Sequence, residues 1–211
     1  KITILFDAII NIKDFIEKKG RINDKKTGYN YKNFFLAAGR FTRQKNFIYL
    51  INEFAKFIKL YPNEKLLIIG EGELKKKMQN EINKFNLNNN IKILNYTENI
   101  YYFMKHSKCF ILSSIWEEVG FVIVEASFCN TFIISSNCKN GPEEFLKSGK
   151  AGLIYNSNIE DKLLEKLVEF KNLNKKRVYE KKLLAKINCS KFTMFNHYLK
   201  LKHILNENYS I

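Results

Sequence analysis

The amino-acid sequence predicts an α/β fold built on a Rossmann-like, doubly wound parallel sheet. Three observations carry that prediction. Short apolar runs alternate along the chain with segments of helical period. The runs are mainly apolar, as strands buried on both faces must be. Helix-length segments separate successive runs, which is the spacing of βαβ units.

The elements follow in order. A strand is read at 34–39 (FFLAAG), then a helix in which Phe47, Leu50, Ile51, Phe54, Ile58 and Tyr61 keep i, i+3, i+4, i+7 spacing up to Pro62. The strand at 65–70 (KLLIIG) precedes a helix marked by Leu74, Met78, Ile82 and Phe85. IKIL (91–94) is the third strand, and a short helix follows near Ile100–Ser107. CFILSS (109–114) is the fourth. FVIVEASF (121–128) then reads as a buried helix, because apolar residues occupy nearly every face. TFIISS (131–136) is the fifth strand. GPEEFL opens a short helix, with Pro142 at the first position and Glu143 and Glu144 at the positive end of the dipole. AGLIY (151–155) is the last strand, and Leu163, Leu164, Leu167 and Phe170 share a helix face after it. Residues 1–171 are expected to form the sheet domain. Residues 172–211 are expected to be helices packed on it or on a domain outside this sequence. The chain opens on Lys1 inside a strand-like run, which reads as a piece of a longer protein.

Hydrophobic residues make up 45 %, enough to fill a core. The formal charge is +15, yet only four of the 36 basic residues are arginine, and the lysines are scattered. That pattern reads as a solvated lysine surface without a nucleic-acid partner, and leaves open a weak peripheral contact with an anionic membrane face. Cys109, Cys129, Cys138 and Cys189 lack metal-ligand spacing, and a reduced, cytoplasmic compartment fits them. No Asp-x-Asp pair or histidine cluster points to a metal, and no cofactor is expected.

Three stretches carry chemistry. LLIIGEGEL offers Gly-x-Gly after a strand, but Lys75 occupies the third glycine position of a dinucleotide fingerprint, so a tight turn explains Gly70 and Gly72. GRFTRQK (39–45) follows the first strand, and Arg40 and Lys45 there suit a diphosphate, or form a basic loop. Glu125 sits in the apolar helix after Gly120. Unpaired burial would cost it several kcal/mol, so it has a partner or faces a cleft. Two ribose hydroxyls would suit it, and so would a structural lysine.

AAGRFTRQKNF, LLIIGEGEL, the Glu117-x7-Glu125 pair and NGPEEFL…GKAGLIY stand together in the order and spacing of the C-terminal half of family-four glycosyltransferases. The chain resembles that half over about residues 1–170. The resemblance implies a GT-B fold and transfer of a sugar, with retention, from a nucleotide-diphosphate sugar, UDP-linked, to a glycan or lipid-linked acceptor in polysaccharide biosynthesis. It implies that Arg40 and Lys45 grip the diphosphate, Glu125 holds the ribose and Glu117 faces the sugar, these being the catalytic and donor-binding groups. Gly39, Val119, Gly120, Phe121, Val122, Asn95 and Tyr96 line the donor by the same resemblance. It also implies an acceptor-binding N-terminal domain that this sequence lacks. Two departures stand out: Glu118 replaces a glycine beside the sugar, and Asn95 replaces one near the base, where asparagine would tolerate positive φ. A nucleotide-sugar epimerase of the same fold and a non-catalytic nucleic-acid-binding module are the rival readings.

Overall fold

The computed structural model describes residues 3–18, 32–118, 120–138 and 141–209. Six strands, β1 Phe35–Ala38, β2 Leu66–Ile69, β3 Ile91–Leu94, β4 Cys109–Leu112, β5 Phe132–Ser136 and β6 Leu153–Tyr155, form one sheet. All pairings are parallel. The order β3-β2-β1-β4-β5-β6 reverses direction between β1 and β4, as a doubly wound sheet does. Each of the six strands predicted between residues 34 and 155 is present.

Alternation along the strands divides the core into two layers. Phe35, Ala37, Ile68, Ile111 and Ile134 meet α2 (Phe47–Leu60), α3 (Lys75–Lys84) and α7 (Lys162–Asn172) on one side. Leu36, Ala38, Ile69, Phe110 and Ile133 meet α4 (Ile100–His106), α5 (Phe121–Phe128), α6 (Pro142–Phe145) and α8 (Lys175–Cys189) on the other. Both faces are therefore covered, which is why the strands are mainly apolar. Phe35 lies at the centre of the first layer, its ring 5.5–5.8 Å from those of Phe54, Phe57 and Phe170. Truncating it to alanine would remove about 3–5 kcal/mol.

The sequence-based expectation fails at the N-terminus. Residues 3–9 join no strand of the sheet. Instead the amides of Ile9 and Ile10 donate to Phe192 O, at 2.9 Å each, and Ile10 O accepts from Met194 N. The run is apolar because Ile10 is fully buried against the C-terminal helices, not because it pairs in the sheet. Helix α1 (Ile12–Lys18) follows it, and periodicity did not announce that helix. Beyond residue 172 the described chain is helical, with α8, a 3-10 turn at Ser190–Phe192 and α9 (Met194–Tyr209). Helix α8 packs on α5 and β5.

Candidate functional site

The two strands flanking the reversal, β1 and β4, build the site at their carboxyl ends. After Ala38 the chain leaves the sheet through Gly39 and closes a 3-10 turn at Arg43–Lys45 before α2. The Gly-x-Gly after β2 makes this turn possible. A Cβ on Gly70 would lie 1.9 Å from Gly39 O, and one on Gly72 would lie 2.7 Å from Phe41 O. These glycines let one backbone pass another, so the turn they make is a packing feature.

Hydrogen bonds fasten the basic turn to the loop after β4. Ser113 Oγ donates to Lys45 O at 2.7 Å, Gln44 Nε2 to Trp116 O at 2.9 Å, and Ile115 N to Gln44 O at 2.8 Å. Glu117 lies beneath, its side chain 8 % exposed. One of its oxygens accepts from Lys45 Nζ and from Ser114 Oγ, both at 2.5 Å. A carboxylate so enclosed is held in place by its cation and by a charge-assisted hydroxyl bond.

Helix α5 starts where the next turn permits it. Gly120 has φ 71°, in the left-handed region, and a Cβ there would meet Pro142 Cγ at 3.2 Å. No side chain caps α5, so the amides of its first turn and its positive end face the site. Glu125 stands one turn further in. Burial raises its carboxyl above the ordinary value, and the Tyr101 hydroxyl, donating at 3.3 Å, opposes that rise. Burial and Glu125 together push the Tyr101 hydroxyl up in turn.

Two cavities meet over these groups. The first, about 550 Å³, is lined by Gly39, Tyr96, Thr97, Tyr101 and Glu125 among others. The second, about 480 Å³, is lined by Gln44, Trp116, Glu117, Glu118, Gly120 and Phe121. Arg40, Lys45 and Val122 line both and form the waist between them. A guanidinium and an ammonium at such a waist suit a diphosphate. A carboxylate such as Glu125, whose one side-chain donor among the described residues is a long phenol contact, suits a pair of neighbouring hydroxyls.

Nine of the residues singled out from the sequence thus converge: Gly39, Arg40, Lys45, Tyr96, Glu117, Gly120, Phe121, Val122 and Glu125. Val119 lies outside the described residues. Asn95 corrects the expectation made for it. Its backbone is not in the positive-φ region, and its side chain accepts from Lys75 Nζ at 2.6 Å without lining either cavity. Tyr101, Ser114, Gln44 and Trp116 are the contributors that sequence reading missed. Ser114 carries a local signal, three residues before Glu117, whereas Tyr101 meets Glu125 across 24 residues with none.

Residues 18–182 match the family model described as glycosyl transferases group 1. An uncharacterized glycosyltransferase of Methanocaldococcus jannaschii is 41 % identical over 137 residues, which cover 62 % of this chain and 34 % of that protein. An Escherichia coli UDP-Gal:alpha-D-GlcNAc-diphosphoundecaprenol alpha-1,3-galactosyltransferase is 32 % identical over 155 residues, covering 71 % of this chain and 40 % of that one. The chain thus spans well under half the length of these relatives. Among solved structures, Anabaena Alr3699/HepE in complex with UDP and glucose superimposes with a TM-score of 0.75 at 18 % identity, over 96 % of this chain and 55 % of that chain. That likeness establishes a shared fold.

Proposed function

This chain belongs to the family of glycosyl transferases group 1, and from that premise we propose that it is the donor-binding half of a retaining glycosyltransferase that uses a UDP-sugar. One observation carries the reading: two cavities share a basic waist, with Glu125 beside Glu71 and Glu98 in the lining on one side of it and Glu117 beside Glu118 on the other. A nucleoside diphosphate sugar has the matching order of parts. The nucleoside occupies the cavity of Glu125, its ribose hydroxyls donating to that carboxylate. The diphosphate lies against Arg40, Lys45 and the first amides of α5. The sugar enters the cavity of Glu117. UDP and glucose bound to a protein of the same fold support the choice of nucleotide.

In the reaction the bond from the anomeric carbon to the diphosphate breaks, one to an acceptor hydroxyl oxygen forms, and the hydroxyl's proton passes to the departing diphosphate. Negative charge grows on the departing diphosphate, where Arg40, Lys45 and the helix amides are already aimed and need no reorganisation. The acceptor, a glycan or lipid-linked sugar as the E. coli relative's name suggests, is held by the part of such proteins that this chain does not span. Calorimetry against UDP-sugars, UDP and uridine tests the reading. The chain binds UDP well above uridine and transfers no sugar, because the ~7–11 kcal/mol available from positioning two reactants needs both of them held. Equal affinity for uridine and UDP would remove the diphosphate from the waist and overturn the assignment.

A further inference from the structure

Helix α8 is apolar on two opposite sides. Its inner side, with Ala185, Asn188 and Cys189 buried, packs on α5 and β5. Its outer side carries Tyr179, Leu183 and Ile187, which are 66 %, 42 % and 53 % exposed. Spaced by four, these three stack along one face, over about 12 Å of helix axis at ~1.5 Å per residue. Core packing accounts for the inner side and, among the described residues, leaves the outer stripe exposed.

The charges around the stripe are one-sided. The helix holds Lys175, Lys176, Arg177, Lys181, Lys182 and Lys186 against one acid, Glu180. Lys181 is engaged inward, its Nζ donating to Gly149 O and Gly152 O. Lys175, Lys182 and Lys186 follow one another at intervals of seven and four and run along one border of the stripe. Lys176 stands at its N-terminal end.

We propose that the outer face of α8 lies on an anionic membrane surface, with Tyr179, Leu183 and Ile187 entering the headgroup boundary and the bordering lysines meeting lipid phosphates. Charge complementarity selects this occupant. An apolar stripe edged by lysines is the pattern of a helix lying in the bilayer interface, where lysine stems cover apolar surface while their heads stay in water. The core of a protein–protein interface is depleted of lysine, and this stripe is one side chain wide with lysine at its edge. The net charge of +15 adds attraction from further away. The donor-site reading is not involved, since none of these residues lines either cavity.

Co-sedimentation of the full chain with vesicles tests this, using phosphatidylcholine alone and phosphatidylcholine mixed with phosphatidylglycerol, at low and moderate salt. The chain binds the anionic vesicles and leaves the neutral ones in solution. Leu183→Glu with Ile187→Glu abolishes binding, and Lys175→Gln with Lys186→Gln weakens it by about fivefold for each lysine removed. Circular dichroism confirms that the variants keep the parent's fold, which solvent-facing changes should not disturb. Failure to bind anionic vesicles at low salt overturns the proposal. So does binding that survives the double glutamate change, which would move the contact to another surface such as α9. A concentration-dependent dimer that the same change dissolves, without vesicle binding, would assign the stripe to a second copy of the chain and likewise overturn it.

Discussion

A buried carboxylate and a half-buried one, at opposite ends of one sheet, are treated in opposite ways. At the amino end, Glu64 precedes β2 and is clamped by Lys171 Nζ at 2.8 Å and by Lys108 Nζ. Both cations also sit over aromatic rings, Lys108 over Phe35 at 4.8 Å and Lys171 over Tyr61 at 5.3 Å. At the carboxyl end, Glu125 has the Tyr101 hydroxyl at 3.3 Å and an open cavity. Burial pushes both carboxyls up. At Glu64 the two lysines more than offset it and the group ends below its ordinary value, whereas Glu125 remains above. The sheet is closed by charge at one end and left underpaired at the other. Ligands of doubly wound sheets bind at the carboxyl end, which is the end where Glu125 stands on α5.

The largest effect is expected at the sealed end. Glu64→Gln leaves Lys108 and Lys171 without their shared anion and should destabilise the fold by about 2–3 kcal/mol, below the usual loss for a broken buried pair because both lysines keep some water. Chemical denaturation measures it, and UDP affinity should not move. The sign against pH follows from the depressed carboxyl: its stabilisation is present above the ordinary carboxylate range and lost as pH falls through the folded value. The gap between variant and parent therefore narrows in acid. A gap that held constant with pH would mean the loss is packing and not charge.

At the open end the next effect is on binding. Arg40→Ala should weaken UDP by about 1.5–3 kcal/mol, as for a hydrogen bond to a charged group, and leave uridine unchanged. Arg43, exposed on the same turn and lining neither cavity, should change UDP by about 0.5 kcal/mol or less on replacement by alanine. Reversal of the two would show that the turn presents a different residue to the diphosphate.

Glu125→Gln sharpens the comparison, because stability and binding should part company. UDP should bind about 1.5 kcal/mol more weakly, with a 2′-deoxy nucleotide losing less than UDP does. Stability should rise at neutral pH, since a raised carboxyl contributes stability present below its unfolded value and lost as pH climbs through the folded one. Toward acid the variant and parent converge. This is opposite in sign to Glu64→Gln at neutral pH. A variant that lost both stability and affinity would return Glu125 to a structural role.

How much of this was legible in the sequence follows the same division. The strands were legible because burial on both faces leaves them mainly apolar, as in CFIL and LLII, with Lys92 on the edge strand β3 and Ser135 and Ser136 at the end of β5 as exceptions. Glu125 was legible because an acid in an otherwise apolar helix is conspicuous. Tyr101 was not, since its meeting with Glu125 depends on how α4 docks on α5, which no spacing encodes. The apolar opening run misled for a related reason: Ile10 is buried against the C-terminal segment around Phe192, 182 residues away, and one-dimensional periodicity cannot separate that burial from a strand's. At Asn95 the substitution was visible and its backbone was not, because Lys75 from α3 engages the side chain.

The smallest effect is expected at Glu117, and it tests what the underpaired end is waiting for. In this structure Glu117 takes Lys45, the cation assigned to the diphosphate, at 2.5 Å, and shares the same oxygen with Ser114. Two consequences of Glu117→Gln then oppose each other in UDP binding. Lys45 loses the carboxylate that orients it, which weakens the grip. The diphosphate also loses a competing anion beside the waist, which strengthens it. Ser114 still has an amide oxygen to donate to, so the loop should keep its shape. The net change in UDP affinity is expected within about 0.5 kcal/mol, the range of substitutions that leave the surrounding contacts in place. Affinity for the UDP-sugar relative to UDP should fall, because the sugar-side cavity is where the charge was removed. Calorimetry with both ligands on variant and parent decides it. A loss of UDP affinity as large as that from Arg40→Ala would mean that Glu117 serves the waist, with Lys45 positioned by it, and that the sugar is recognised by other groups.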